Sequence, residues 1–180
     1  MTTTSPAGLA VGRWIVDVAH SAATFRVRSL GRTVTGTVPI VEGTVDIGPD
    51  GLPSAITGSL DLGAIDTGNA RRDCDLRKPR LLDLDHHPTM TIVADTAATS
   101  PAGWSVTGRL SARGTSVRLA GDVELFGQDR VELSGQDRSA TLTGHTRLDR
   151  RALGIRAPKI MIGSEIDITV TAVIHRITDQ

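Results

Sequence analysis

The residue types best suited to chemistry concentrate in one short segment of this 180-residue chain, DTGNARRDCDLRKPRLLDLDHHP, which spans residues 66–88. It contains the only cysteine, Cys74, and two adjacent histidines, His86 and His87. Together with Asp85, these histidines could act as metal ligands in a metal-assisted hydrolase. However, adjacent histidines do not converge on one ion as histidines four positions apart on a helix do, and no HExxH motif occurs. The simpler interpretation is that the histidine pair ends a helical segment and leads into a strand.

A second set of residues, Asp17, His20 and Ser21, has the composition of a hydrolase triad. All three fall in one strand-and-turn segment, and no GxSxG nucleophile elbow occurs in the chain. A capped turn that leads into a strand explains the same residues. The glycine-rich segments lack a GxGxxG motif before a helix and lack a P-loop lysine, so no nucleotide cofactor is expected.

Charge and hydropathy exclude several classes of function. Twenty basic and twenty acidic residues cancel, which leaves no overall surplus of positive charge to attract nucleic acid or anionic lipid. The first residues, MTTTSPAGLAVGRW, lack the basic and apolar regions of a signal peptide. No stretch approaches the roughly 20 apolar residues that cross a bilayer. We therefore expect a cytoplasmic protein with no stable membrane insertion and no nucleic-acid partner.

Apolar and polar residues alternate with a period of two along most of the chain, which is typical of antiparallel strands with one dry face. In ATFRVR, for example, Ala23, Phe25 and Val27 share one face. A change of phase at Ile40–Val41, beside Pro39, predicts a β-bulge or bend within one long strand. The pattern predicts an all-β fold of about eight strands, either a closed barrel or a sandwich. We expect a flexible N-terminus over residues 1–12 and a single domain over residues 13–178.

The segment with the chemistry-bearing residues lacks this alternation. Residues 68–85 favour a short helical insertion, interrupted by Pro79, with Asp66 or Thr67 as its N-cap. Its arginines could hold an anionic head group, or its charges could pair locally around a barrel mouth. We interpret Arg72 and Asp73 first as a structural clasp at that mouth, and second as a contact for a head group.

The predicted interior is short of large side chains. The chain has no tyrosine and only two phenylalanines and two tryptophans. Six mid-strand glycines lie in phase with the apolar rows, either to permit curvature of the wall or to leave volume for a ligand: Gly36, Gly43, Gly58, Gly108, Gly121 and Gly144. An underfilled apolar interior suits an apolar ligand.

Four motifs in order resemble the YceI-like family. The first is D-x-x-H-S-x-x-x-F, and the second is I-D-T-G with R-D-x-x-L, a Leu-Asp pair and a proline before the next strand. The third is GRLSARGTSVRL, and the fourth is RLDRRALGI, which is similar to the family's R-x-x-(aromatic)-G segment. The resemblance runs from Trp14 to Ile174, and its main positions are Asp17, His20, Ser21, Phe25, Arg72, Asp73, Leu76 and Pro88.

This resemblance implies an extended, eight-stranded, antiparallel, lipocalin-like barrel that holds a polyisoprenoid, an isoprenoid quinone or a fatty amide in an apolar tunnel, often as a homodimer. Ile92 and Leu153 take the place of aromatic residues that are usual in the family. We therefore expect non-enzymatic binding or carriage of a long lipid. The alternatives are the metal-assisted hydrolase and an interaction module without a ligand. The dry-face candidates for the lining are Phe25, Val27, Val38, Ile56, Leu60, Ile92, Trp104, Val106, Ile166 and Ile168.

Overall fold

The structure of the protein, a computed structural model, describes residues 9–130, 138–156 and 162–177. Ten strands and one α-helix lie within these ranges. The strands are β1 Gly12–Val16, β2 Ala22–Ser29, β3 Arg32–Val38, β4 Ile40–Ile47, β5 Pro53–Asp61, β6 Thr89–Ser100, β7 Gly103–Ala112, β8 Thr115–Arg130, β9 Arg138–Asp149 and β10 Glu165–Arg176, and the helix is α1 Ala70–Leu76.

The strands form a closed antiparallel barrel. From β4 to β10, each strand pairs with the next along the chain, and β10 then pairs with both β1 and β2. A 3-10 turn at Val18–His20 divides β1 from β2, and Pro39 divides β3 from β4, so each of these pairs is one bent strand of the wall. Counted in this way the barrel has eight strands, which confirms the all-β, eight-stranded antiparallel prediction.

The predicted irregularity beside Pro39 is present. The register between β4 and β5 shifts between Ile40 and Glu42, and the intervening Val41 is 56% exposed. Proline has no N–H to donate to a neighbouring strand, so the ladder is interrupted at this position. Beyond it, β3 leaves β5 and contacts the next segment instead, through an isolated bridge between Thr37 and Asp66.

The helical insertion lies in the connection from β5 to β6, residues 62–88, which we call the crossover. Helix α1 begins one turn later than the sequence suggested. Its N-cap is Asn69, whose side-chain oxygen accepts a hydrogen bond from the Arg72 N–H. The expected N-caps, Asp66 and Thr67, were wrong because Asp66 forms backbone hydrogen bonds with Thr37.

The last residues before β1 belong to the described part of the chain. Residues 1–8 lie outside the described part of the chain, but Leu9 is only 2% exposed and the Ala10 carbonyl accepts a hydrogen bond from Trp14 Nε1. Leu9 thus belongs to the same buried cluster as Trp14.

The apolar interior divides into two clusters along the barrel axis. We call the first the packed half; it surrounds Trp14 and Trp104 at the end where β4 turns into β5. We call the second the hollow half; it lies beneath the crossover, and includes Leu60, Leu84 and Ile168. The apolar side chains of the crossover thus complete the core at one end of the barrel.

Candidate ligand-binding cavity

A cavity of about 430 Å³ occupies the hollow half of the barrel. Strands β2, β3, β5 and β10 form its wall, and the crossover and the segment after β9 cover it. The lining is mostly aliphatic, and the cavity reaches the surface at the exposed side chains of Leu30, Arg80 and Arg156. We call this opening the mouth.

A smaller cavity of about 150 Å³ lies deeper in the barrel, towards the packed half. The two cavities share Leu60 and Ile168 in their linings, so these side chains lie between them. Four of the mid-strand glycines line the smaller cavity: Gly43, Gly58, Gly121 and Gly144.

Both interpretations of the mid-strand glycines apply, at different positions. At Gly58 and Gly144 an added Cβ would find ordinary van der Waals distances, so the absent side chains leave volume in the smaller cavity. At the other four positions a Cβ would overlap a neighbour. Gly36, for instance, is the cross-strand partner of Phe25, and the phenyl ring lies where its Cβ would be. This glycine therefore sets the position of the one aromatic ring in the cavity lining.

Nine of the ten lining candidates surround these two cavities. Phe25, Val27, Val38 and Ile166 line the larger one, Ile56, Ile92 and Val106 line the smaller one, and Leu60 and Ile168 line both. Trp104 lies apart from the other nine: its side chain is 3% exposed within the packed half and lines neither of these two cavities. Contact of the nine with a ligand stays a prediction.

The expected clasp at the mouth has a different geometry from the one proposed. Asp73 does not pair with Arg72 among the described ion pairs. Its carboxylate instead accepts hydrogen bonds from the Thr67 N–H at 3.2 Å and from the Thr67 hydroxyl at 2.5 Å. Arg72 is half-buried and lines the larger cavity. Asp73 thus fixes the start of the crossover, and Arg72 remains available to a head group.

The segment after β9 is the second cover of the cavity, beside the crossover. It is held by a buried arginine that the sequence analysis did not identify. Arg150 follows β9, is 2% exposed, and lines the larger cavity. Its guanidinium donates hydrogen bonds to the carbonyls of Ile155, Ile162 and Gly163 at 2.9 Å. These bonds draw residues 150–156 and 162–163 together over the mouth. The RLDRRALGI motif contained Arg150, but nothing in the motif showed that this arginine is buried.

A further arginine links the two covers. Arg113, in the turn between β7 and β8, donates to the Pro79 carbonyl of the crossover at 2.5 Å and to the Leu153 carbonyl at 3.4 Å. It has a positive φ of 54°, a conformation uncommon for non-glycine residues. One side chain thereby ties the barrel wall to both segments that close the hollow half.

The histidine pair contacts an aspartate of its own segment. His86 Nδ1 lies 2.8 Å from Asp83 Oδ1, and His87 Nε2 lies 4.0 Å from Asp83 Oδ2. The hydrogen bond to Asp83 raises the pKa of His86 above its ordinary value. Asp85, the third residue of the hydrolase hypothesis, pairs with Arg77 at 3.0 Å. Within the described ranges, no group of three or more His, Cys, Asp or Glu side chains could hold a metal ion.

The triad-like set at the kink between β1 and β2 has its polar atoms engaged in structural bonds. Asp17 Oδ2 lies 2.8 Å from His20 Nδ1 and 3.4 Å from His175 Nε2, and the first of these contacts lowers the pKa of Asp17. The Ser21 hydroxyl donates to the Asp17 carbonyl at 2.6 Å and accepts from the Val173 N–H. This geometry joins the kink to β10, and it engages the serine hydroxyl with two backbone groups instead of with the histidine that would have to activate it.

Several known proteins are similar to this chain. The family model described as YceI-like domain matches residues 14–174. Burkholderia cenocepacia BcnA is 17% identical, with a TM-score of 0.74, over 88% of this chain and 98% of that one. The Campylobacter jejuni YceI protein is 16% identical, with a TM-score of 0.67, over 79% and 82%. A Saccharophagus degradans polyisoprenoid binding domain, implicated in plant cell wall breakdown, is 11% identical, with a TM-score of 0.66, over 91% and 98%.

No curated protein matches the chain, and none of the described helices is long and apolar enough to cross a membrane. The solved structures share the fold across nearly the whole barrel, and the family match spans both tryptophans of the packed half and the entire lining of the two cavities. The chain belongs to the YceI-like family.

Proposed function

We propose that the protein binds a long apolar lipid in its barrel without catalysing a reaction on it. The class we favour is a polyisoprenoid, an isoprenoid quinone or a fatty amide. The observation that carries the proposal is the pair of neighbouring apolar cavities that share Leu60 and Ile168 in their linings, the larger of which reaches the surface at the mouth.

The shape of this space favours a chain over a compact ligand. A lipid tail would enter at the mouth, pass Leu60 and Ile168, and end against the filled interior near Trp104. Each CH₂ group removed from water contributes about 0.8 kcal/mol, so affinity for an aliphatic chain rises with the length that fits inside. A polar head group would remain at the mouth, beside Arg72.

Family membership supports the same ligand class. One structural neighbour is a polyisoprenoid binding domain. In this chain the side chains around the larger cavity carry few groups able to orient a reacting bond, because Arg150 is engaged with backbone carbonyls and Asp75 with Lys78. Recognition by apolar burial requires no such group.

The test is native mass spectrometry of the untreated protein, followed by organic extraction and titration with polyprenols of increasing length. We expect a bound lipid, or uptake of added polyprenol. In the Ile168→Trp variant, an indole between the two cavities should prevent long tails from reaching the smaller cavity while shorter ones still bind. Val93→Trp is the matched control, since Val93 is 45% exposed on β6 and lines neither cavity.

Three results would contradict the proposal. The first is the absence of both co-purified lipid and polyprenol uptake, which would favour an interaction module without a ligand. The second is the same loss of long-chain uptake in Ile168→Trp and in Val93→Trp. The third is stoichiometric zinc in the purified protein that disappears, together with a hydrolase activity, in His87→Ala.

A further inference from the structure

The tip of the hairpin between β2 and β3 carries a residue that the turn itself does not favour. Ser29 pairs with Arg32, so Leu30 and Gly31 form a two-residue loop. Both have positive φ, 50° and 75°, which is the geometry of a type I′ turn. Asn-Gly is the sequence that such turns prefer, because asparagine tolerates the left-handed region far better than leucine does.

Leu30 is also poorly placed for burial. It is 69% exposed, which is more than any other large hydrophobic side chain among the described residues. It stands at the rim of the mouth, where its inner side contributes to the lining of the larger cavity. Neither turn propensity nor core packing accounts for an exposed leucine here. An apolar environment outside the molecule would account for it.

Positive charge surrounds this leucine, although the protein is neutral as a whole. Arg28 and Arg32 flank it in the sequence, and Arg72, Arg80 and Arg156 line the mouth. Among the described contacts, the side chains of these five arginines, and of Arg71, form no hydrogen bond or ion pair. Arg71 and Arg80 do lie near enough to Asp75 to add to the effect of Lys78, which lowers the pKa of that carboxyl.

The acidic residues near the mouth are engaged locally instead. In the crossover, Asp66 accepts from the Gly68 N–H, Asp73 from Thr67, and Asp75 pairs with Lys78. Asp83 is bonded to His86 and Asp85 to Arg77, while Asp149 at the end of β9 is paired with Arg151. Asp66 and Asp73 keep their negative charge, because their donors are neutral, but the six arginines without an ion pair outnumber them at this end of the barrel. The fold thus gathers positive charge at this end of the barrel, although basic and acidic residues balance over the whole sequence.

We propose that the mouth of the barrel docks on an anionic lipid bilayer, with Leu30 inserted at the interface and the surrounding arginines on the head groups. Apolar insertion flanked by basic side chains is the combination that binds peripheral proteins to anionic membranes. Docking in this orientation places the cavity opening against the bilayer. Exchange of a lipid between bilayer and cavity would rest on the proposed function, whereas docking itself does not.

The experiment is co-sedimentation with vesicles of phosphatidylcholine alone or of equal parts phosphatidylcholine and phosphatidylglycerol, at low and at high salt. We expect binding to the anionic vesicles that weakens with salt. Because each arginine near an anionic surface contributes about five-fold in partitioning, the double variant R32Q/R80Q should bind roughly 25-fold more weakly. Leu30→Asn should weaken binding by about ten-fold while its melting temperature stays the same or rises, since asparagine suits the turn.

Two matched controls lie side by side on the outer wall. Val93→Thr and Arg109→Gln remove an exposed apolar group and an exposed charge from cross-strand partners on β6 and β7, away from the mouth. Both should bind vesicles like the unmodified protein. Equal binding to neutral and anionic vesicles, or undiminished binding of Leu30→Asn, would overturn the proposal.

Cavity binding is measured separately, with a fluorescent isoprenoid analogue in vesicle-free buffer. If the analogue binds and vesicles do not, docking fails and the proposed function stands. If the protein binds vesicles but not the analogue, docking stands and the proposed function fails.

Discussion

The two halves of the barrel are built from the same alternating strands but are filled in different ways. In the packed half, Trp14 and Trp104 are 0% and 3% exposed and line neither cavity, whereas Val45 and Val106 of the same cluster border the smaller one. In the hollow half, the only aromatic side chain is Phe25, half-buried against Gly36, and the remaining lining is aliphatic. An eight-stranded barrel is just wide enough either to be filled by side chains or to hold one small ligand. With two buried indoles in its cluster, the packed half borders a cavity of about 150 Å³, against about 430 Å³ in the hollow half.

The comparison also shows why the hollow half needs covers. A filled interior is sealed by its own side chains, whereas an empty one must be closed by chain segments laid across it. The crossover and the segment after β9 do this, and Arg150 and Arg113 attach them through backbone carbonyls. The two halves should therefore respond to substitution in different ways.

The largest difference is expected for truncation of the aromatic residues. Trp14→Ala removes a fully buried side chain and leaves a void in a close-packed region, which should lower the free energy of unfolding by about 3–5 kcal/mol. Phe25→Ala should cost less, roughly 1–2 kcal/mol, because one side of the ring already faces a cavity and has fewer contacts to lose. Urea denaturation measures both values.

Phe25→Ala is the matched control, since it too deletes a ring from the barrel interior. Equal losses for the two variants would show that the hollow half is as tightly packed as the other, and would contradict the division of the barrel. A lipid bound to the purified protein would raise both values, so the comparison is made after delipidation.

The sequence predicted which side chains face the barrel interior. It did not predict how full that interior is at each level along the barrel axis. Alternation identified which side chains face inward, and the change of phase beside Pro39 located the bulge, because both are local properties of a strand. Trp104 and Val106 face inward on the same strand two positions apart, yet the first fills the barrel and the second lines a cavity. An alternation with a period of two identifies the face of the strand on which a side chain lies. What fills the interior at each level depends on residues from distant strands.

The covers were predicted in part, for a similar reason. The lack of alternation marked residues 68–85 as an insertion, and α1 lies within it. Arg150 was missed because a buried arginine among backbone carbonyls has the same local sequence as an exposed one. Its exposed neighbour, Arg151, follows directly in the chain and pairs with Asp149. Only the return of residues 162–163 over the barrel distinguishes the two.

Arg150→Met should test how the second cover is held. Methionine keeps much of the apolar volume but leaves the carbonyls of Ile155, Ile162 and Gly163 without their charged donor, at a cost of roughly 2–3 kcal/mol. Hydrogen exchange should accelerate at residues 150–156 and 162–164, while the amides of the packed half keep their protection. Arg151→Met is the control and should leave both the unfolding midpoint and the exchange pattern nearly unchanged. Uniformly faster exchange throughout the barrel would show that Arg150 supports the whole fold rather than the cover.

The smallest effect concerns the histidines at the end of the crossover, and its sign follows from the raised pKa of His86. Because its hydrogen bond to Asp83 favours the protonated imidazole in the folded protein, this contact contributes stability below the ordinary histidine pKa of about 6.5 and loses it as the pH rises through the folded value. Asp83→Asn removes the charge but suits the positive φ of 51° at this position, so the turn should be retained. An NMR titration of His86 should then show its pKa fall back towards the ordinary value. The lowered pKa of Asp17, at the kink between β1 and β2, should stay the same in this variant, because that carboxylate lies outside the crossover. If the pKa of His86 does not move, Asp83 does not hold the imidazole, and the end of the crossover is anchored by its backbone hydrogen bonds alone.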